Sequence, residues 1–304
     1  MPSTELTITD SFSIAVRTKA LRFAECSYNL VLRCALLQKL VYSIIRFLSP
    51  SRLSIENVLL HLNKNDAVLN TLLLLGLFEV PETIIFKKLL QPGMTFLDVG
   101  ANIGYFSALA ASFVGANGTI IALEPEPKNQ ALLRKTSQSN PGPKYHLFQL
   151  AASSKSGSST FYVSSSNCGD NRLGDSNQQD DNDEWNSNTV ACVTLDELFI
   201  EKDLPLPDVI KIDVQGFEAD VIAGCMDILK RKKAITLMIE FWPEGLRAAG
   251  KDPLAFLSAL RDNEFLISYI NLKGQLVELS ADEELVKTYY GKAYTNLFCT
   301  RKTT

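Results

Sequence analysis

Histidine is nearly absent from this chain. His61 and His146 are the only two in 304 residues, and with so few imidazoles no zinc ligand set can be read. The six cysteines, Cys26, Cys34, Cys168, Cys192, Cys225 and Cys299, show no Cys-x-x-Cys spacing, so no disulfide framework is legible either and they read as reduced, mostly buried thiols. No uncharged apolar run reaches membrane-spanning length, and the opening Met-Pro-Ser-Thr-Glu carries an acid where a secretory leader carries bases. Neither a membrane span nor a signal peptide is expected, and a cytoplasmic location follows. Bases are in deficit, 30 against 34 acids, and a net charge of −4 repels phosphate backbones, so no nucleic-acid partner is expected. No internal repeat is present. What remains is the composition of an ordinary soluble globular chain, long enough for one large domain with an appendage.

The chain divides by pattern. Residues 17–48 carry a long helical periodicity, with Arg22, Glu25, Asn29, Arg33, Lys39, Ser43 and Arg46 on one arc and an apolar remainder. Ser49-Pro50-Ser51 ends it, and Ser54 to Leu62 and Asp66 to Phe78 read as two further helices, making residues 1–80 a helical region. After Pro92-Gly93 the grammar changes to strand 95–99, helix 104–114, strand 119–123, helix 127–139 and strand 145–150, the alternation of a parallel sheet. Residues 153–189 interrupt it with Ser, Asn, Asp, Gly and Gln around a short Thr160–Val163 strand, a polar insertion read as a lid or as partly disordered. Alternation resumes with strand 208–213, helix 217–230, strand 235–240, a helix near 253–262 and strands near 265–270 and 295–300. The expected fold is α/β, a doubly wound, seven-stranded, mostly parallel sheet in residues 81–304.

The first strand ends in Asp98, Gly100 and Gly104 turn the backbone into a helix, and Glu124 closes the next strand 20 residues after Gly104. That order of glycine turn and downstream acid belongs to nucleotide-cofactor sites, where the acid meets a ribose diol. A dinucleotide fingerprint requires glycine at its first, third and sixth positions, which here are Gly100, Asn102 and Tyr105. The last two do not fit NAD. Asp98 disfavours a pyrophosphate and instead suits the ammonium and sulfonium end of S-adenosylmethionine (SAM).

Four segments occur together in order: Asp98-Val-Gly-Ala-Asn-Ile-Gly104-Tyr-Phe, Leu123-Glu-Pro125, Thr194-Leu-Asp196-Glu-Leu198 and Ile210-Lys-Ile-Asp-Val-Gln-Gly-Phe-Glu218. Over roughly residues 80–300 the chain resembles the FkbM family of SAM-dependent methyltransferases. The resemblance implies a class I, Rossmann-like methyltransferase fold that modifies a hydroxyl of a sugar or natural product. It places Asp98, Gly100, Ala101, Asn102 and Gly104 around the methionine part of the cofactor, Glu124 on the ribose and Ala151-Ala152 beside the adenine. It also sets Asn171 and Arg172, within 167–173, facing the acceptor, where they are candidates for binding sugar hydroxyls or a phosphate. Gln215 departs from the Glu that family members often carry.

An acceptor alcohol must lose a proton, and both histidines read as structural, which leaves carboxylates. Asp213 and Glu240 end the fourth and fifth strands, so Asp213 is the candidate base or acceptor-orienting residue and Glu240 its partner; each could equally be a strand-end acid anchoring a loop. Glu218 divides between catalysis and stabilising its own helix N-terminus. Without a third ligand, magnesium at Asp213 and Glu240 is weakly supported, and no metal site is assigned. The alternatives to a methyltransferase acting on a small-molecule or glycan acceptor are a nicotinamide-dependent oxidoreductase and a non-catalytic SAM-fold binding module. Residues 11–50 hold six bases against Glu25. The apolar face there suits packing on the catalytic domain or on a second subunit in a homo-oligomer, or peripheral membrane contact through residues 17–48.

Overall fold

The computed structural model describes residues 47, 49–55, 57–64, 66–164, 168–174 and 185–301. The helical pattern at 17–48, its membrane or subunit contact, Cys26 and Cys34 lie outside the described residues.

The described chain opens with an antiparallel hairpin, β1 (Arg52–Ile55) and β2 (Val58–His61), where a helix over Ser54 to Leu62 was expected. Buried Val58, Leu60 and Leu62 alternate at period two, and Asn57 takes the left-handed turn conformation at φ 67°. β2 is held from outside by Asn140, whose amide accepts from the Leu59 N–H at 2.9 Å and donates to the Leu59 carbonyl at 2.8 Å. Helix α1 (Ala67–Leu74) starts on Asp66, whose carboxylate accepts from the Leu69 N–H at 2.8 Å, and is shorter than the expected span to Phe78. Helix α2 (Val80–Leu89) follows, with Pro81 in its first turn.

The alternation then runs β3 (Thr95–Val99), α3 (Tyr105–Val114), β4 (Thr119–Leu123), α4 (Pro127–Ser139) and β5 (Lys144–Phe148). β5 stops before Gln149, and Ala151-Ala152 form a separate short strand, β6. The polar insertion is not a bare loop: β7 (Gly157–Ser164), a 3₁₀ turn at Cys168–Asp170, β8 (Arg172–Leu173) and β9 (Trp185–Val193) build a four-stranded sheet of order β6-β9-β7-β8. Residues 165–167 and 175–184 lie outside the described residues.

Next come α5 (Leu195–Glu201), β10 (Val209–Ile212), α6 (Glu218–Ala223), α7 (Met226–Arg231), β11 (Thr236–Phe241), α8 (Pro243–Ala248), α9 (Pro253–Asp262), β12 (Phe265–Ile270), β13 (Leu276–Glu278), α10 (Asp282–Thr288) and β14 (Thr295–Arg301). The single helix expected at 217–230 is two. A Cβ on Gly224, at the break, would sit 2.2 Å from the Ser153 carbonyl, so the chain narrows there to let the insertion's root pass. Asp196 fastens this region by accepting from the Asp227 and Ile228 N–H groups at the start of α7, both at 2.9 Å.

The main sheet is β13-β12-β14-β11-β10-β3-β4-β5. β5, β4, β3, β10 and β11 are mutually parallel, and β14 enters antiparallel between β11 and β12. Seven strands realise the expected doubly wound sheet, and β13 adds an antiparallel edge. Both faces are covered: Leu97, Val99, Ile210, Ile212, Leu237 and Ile239 enter one apolar cluster, while Phe96, Ile120, Val209 and Met238 enter another. Val58, Leu60, Leu69, Leu73 and Phe86 of the N-terminal elements belong to the second cluster, so the hairpin, α1 and α2 share a core with the catalytic sheet.

Candidate active site

The winding reverses between β3 and β10, and the carboxyl ends of β3, β4, β10 and β11 open there on a cavity of about 640 Å³, a size that suits a cofactor with part of a second ligand. Asp98, next to last in β3, is 1% exposed. Its Oδ2 accepts from the Ser107 hydroxyl at 2.6 Å, while Oδ1 is enclosed with no partner among the described residues. Burial raises the Asp98 pKa, with Lys211 and Ser107 pulling it back. A Cβ on Gly100 would meet the Asp213 carbonyl at 1.9 Å, so the turn after β3 and the end of β10 touch only because this residue has no side chain.

Glu124 directly follows β4, buried, and its two oxygens accept from the Glu126 and Asn102 N–H groups at 2.9 Å each. It thereby pins the Gly100-Ala101-Asn102 turn against its own strand. Burial pushes its pKa up to about 8 despite those bonds. Ala101 and Asn102 line the cavity, and Gly104, at φ 89°, starts α3 behind them. Ala151 and Ala152 line the same wall from β6 rather than from the end of the third strand.

The opposite wall belongs to β10, β11 and the insertion. Asp213 accepts from the Lys211 ammonium at 2.7 Å and from the Gln215 amide at 3.0 Å. The same Gln215 amide donates to Glu240 at 2.8 Å, so one glutamine ties the two strand-end acids together. Burial, joined by the charges of Asp213 and Glu218, holds the Glu240 pKa well above the carboxylate range. Among the described residues no group of three or more His, Cys, Asp or Glu is placed to hold a metal ion. Glu218 stands apart from the cavity: its carboxylate turns back to accept from the Val214 and Gly216 N–H groups at 3.1 Å, which fastens the loop between β10 and α6. Asn171 accepts from the Ser164 N–H at 3.0 Å, and its own amide nitrogen is enclosed without a partner among the described residues. Arg172 lines the cavity with its guanidinium carbon 5.1 Å from the Trp185 ring and 5.6 Å from the Trp242 ring.

His61 and His146 lie outside the cavity; His61 Nε2 is 3.0 Å from the Ser139 hydroxyl on α4. Several cavity residues have no role in the sequence reading, among them Lys211, Glu79, Trp185 and Trp242. Lys211 is buried in β10 with its ammonium 4.8 Å from the Phe106 ring centroid. Burial alone would depress its pKa, but Asp213, Glu79 and Asp98 outweigh that and raise it. A lysine inside Val-Ile-Lys-Ile, an otherwise apolar central strand, is the signal that could have singled it out. Glu79, at the head of α2, and Trp242, just after β11, line the cavity with no comparable sequence cue.

The sequence pattern of the methyltransferase FkbM domain matches residues 98–270, more than half of the chain. The hexuronic acid methyltransferase AglP of Haloferax volcanii is 27% identical over 191 residues, 62% of this chain and 67% of that protein. Among solved structures, precorrin-6y C5,15-methyltransferase from Geobacter metallireducens is similar at TM-score 0.40 and 14% identity, over 73% of this chain and 87% of that one. A SAM-dependent methyltransferase from Aquifex aeolicus is similar at TM-score 0.38 and 16% identity, over 73% and 90%. With the family pattern spanning the glycine turn, both strand-end acids and the Asp213 loop, this chain belongs to the FkbM-domain family of SAM-dependent methyltransferases.

Proposed function

We propose that this enzyme methylates a hydroxyl of a sugar, in a free, lipid-linked or otherwise glycosylated acceptor. The observation that carries the reading is the make-up of the cavity wall facing the cofactor half: Arg172 in cation–π contact with Trp185 and Trp242, in the same cavity as the polar row Asp213, Gln215 and Glu240. Indole faces cover the apolar C–H face of a pyranose, and a row of amide and carboxyl groups pairs with its hydroxyls. The hexuronic acid methyltransferase relative supports a sugar acceptor.

The residues present suit SAM. Asp98, with an oxygen lacking a partner among the described residues, and the Gly100-Ala101-Asn102 turn would take the amino-acid part, Glu124 the ribose hydroxyls, and Ala151 and Ala152 the flat base. When bound, SAM supplies an electrophilic methyl group. The protein's part is to hold the acceptor oxygen close and in line, in a cavity cleared of bulk water. Asp213, which accepts from Lys211 and Gln215, suits orienting the acceptor sugar by also accepting from a hydroxyl neighbouring the one that is methylated. Glu240, held toward its protonated form, suits donating one.

The experiment is incubation with methyl-labelled SAM and a panel of glycosides, hexuronic, neutral and amino, followed by NMR of the products. A methyl ether on a sugar carbon supports the reading. Methyl ester or N-methyl products from the same panel would replace it.

A further inference from the structure

We propose that Glu79 is the general base of the reaction, taking the proton of the acceptor hydroxyl. This inference rests on the hydroxyl-methylation reading above. Glu79 lies upstream of the matched family region, on the N-terminal side of the sheet's first strand.

Glu79 lines the same cavity as Asp213, Glu240 and Asp98. Of the carboxylates on the acceptor side, Asp213 has both oxygens engaged by Lys211 and Gln215, and Glu240 is bound by Gln215. Glu79 Oε2, by contrast, is enclosed with no hydrogen-bond partner among the described residues. Its backbone sits at φ 41° and ψ 48°, a left-handed conformation that a glutamate adopts at a cost and that tertiary packing must impose. That packing is visible on both sides: Phe78 meets the Tyr105 ring edge-on at 5.1 Å, and Thr83 shares a 3.0 Å hydrogen bond with the Tyr105 hydroxyl. Tyr105 opens α3, directly after the cofactor turn, so the element that carries the glycine turn also fixes Glu79.

The surroundings make the carboxylate basic. Burial pushes its pKa up to about 8, the Lys211 ammonium pulls it down, and the charges of Asp213, Glu82 and Asp98 push it up again. The charge of Glu79 in turn acts on Glu240, Tyr105 and Tyr294. A carboxylate whose basicity is raised in this way is better matched to taking a hydroxyl proton than one in the ordinary carboxylate range. In the step itself the hydroxyl O–H bond breaks and its proton goes to the Glu79 carboxylate. The oxygen forms the new bond to the methyl carbon, and the electron pair of the broken C–S bond stays on sulfur. The carboxyl then returns the proton to solvent.

The test compares wild type with Glu79→Gln and Glu79→Asp in three measurements: SAM affinity by calorimetry, kcat against pH on a methyl glucuronoside, and infrared difference spectra of the carboxyl C=O band between about pH 6 and about pH 9. The expected result is a Glu79→Gln enzyme that binds SAM within about threefold of wild type but turns over at least roughly a hundredfold more slowly. Wild-type kcat should rise through about pH 8, the rise should vanish in Glu79→Gln, and Glu79→Asp should retain part of the rate. In the infrared, a band titrating near the same pH should be present in wild type and missing in Glu79→Gln. Unchanged kcat in a folded Glu79→Gln enzyme overturns the assignment, and so does a tenfold loss of SAM affinity with kcat retained, which would make Glu79 a cofactor ligand. A wild type inert toward every hydroxyl probe counts against the hydroxyl reading instead; the infrared titration then decides Glu79, and a carboxyl already ionised at pH 6 overturns it.

Discussion

Lys211→Met is the substitution that most exposes how this site is held together. The ammonium lies 2.7 Å from Asp213, with 5% and 23% of the two side chains exposed, and faces Glu79 and Asp98 besides. Removing one partner of a buried pair typically costs about 3–5 kcal/mol, because the remaining charge stays buried without compensation. Asp213 keeps some solvent and the Gln215 amide, and Glu79 and Asp98 can take up protons, so the lower end, about 3 kcal/mol, is expected here. Methionine fills the stem's volume against Phe106, which limits the cavity term. The assay is urea unfolding of wild type, Lys211→Met, Glu79→Gln and the double variant. If Lys211 stabilises the acid cluster as a charge, the double variant is less destabilised than the two single losses added together. The loss should also shrink toward low pH, where Glu79 and Asp98 need no counter-charge. A Lys211→Met protein within about 0.5 kcal/mol of wild type, or strictly additive losses, would refute the electrostatic account.

Further outcomes follow from the same geometry. Glu124→Gln should weaken SAM binding by about 1–3 kcal/mol in calorimetry, since one oxygen becomes a donor facing either a ribose hydroxyl or the Asn102 N–H. The same variant should flatten the pH dependence of stability. Burial raises the folded Glu124 pKa to about 8 against an unfolded value near about 4.3, so its contribution is full below that unfolded value and is lost as pH rises through 8; urea midpoints across that window measure it. Arg172→Lys should leave SAM affinity unchanged and raise KM for a glycoside acceptor roughly tenfold, because an ammonium does not reproduce the guanidinium's cation–π contacts with two indoles. Equal effects on SAM and acceptor would place Arg172 elsewhere.

The legible parts of the sequence are those whose information is local. β3 and β4 are short apolar runs, each closed by an acid, with a glycine turn after the first, so Asp98 and Glu124 stand out from the residue pattern alone. Asp213 and Glu240 are readable for the same reason. The hairpin is not, because Val58, Leu59, Leu60 and Leu62 satisfy a helical and a strand period alike, and the decision falls to Asn140 on a helix some eighty residues away. Gly224 gives no hint of a helix break, since what demands it is the distant Ser153 carbonyl. Lys211 is visible as an odd base in an apolar strand, yet its partners arrive from three separate segments, at Glu79, Asp98 and Asp213. Glu79 looks like any helix-preceding acid until Phe78 and Tyr105 lock it onto the cavity wall.

The central claim is that this cavity joins a SAM site to a sugar hydroxyl. Its most direct test is a product analysis: wild-type enzyme, methyl-labelled SAM and a hexuronic acid glycoside, with the labelled carbon located by NMR. The account predicts one labelled methyl ether on a ring hydroxyl, absent when Glu124→Gln replaces wild type at limiting SAM. Label recovered only as a carboxyl ester or on nitrogen, or tight SAM binding with no transfer to any glycoside, would contradict it.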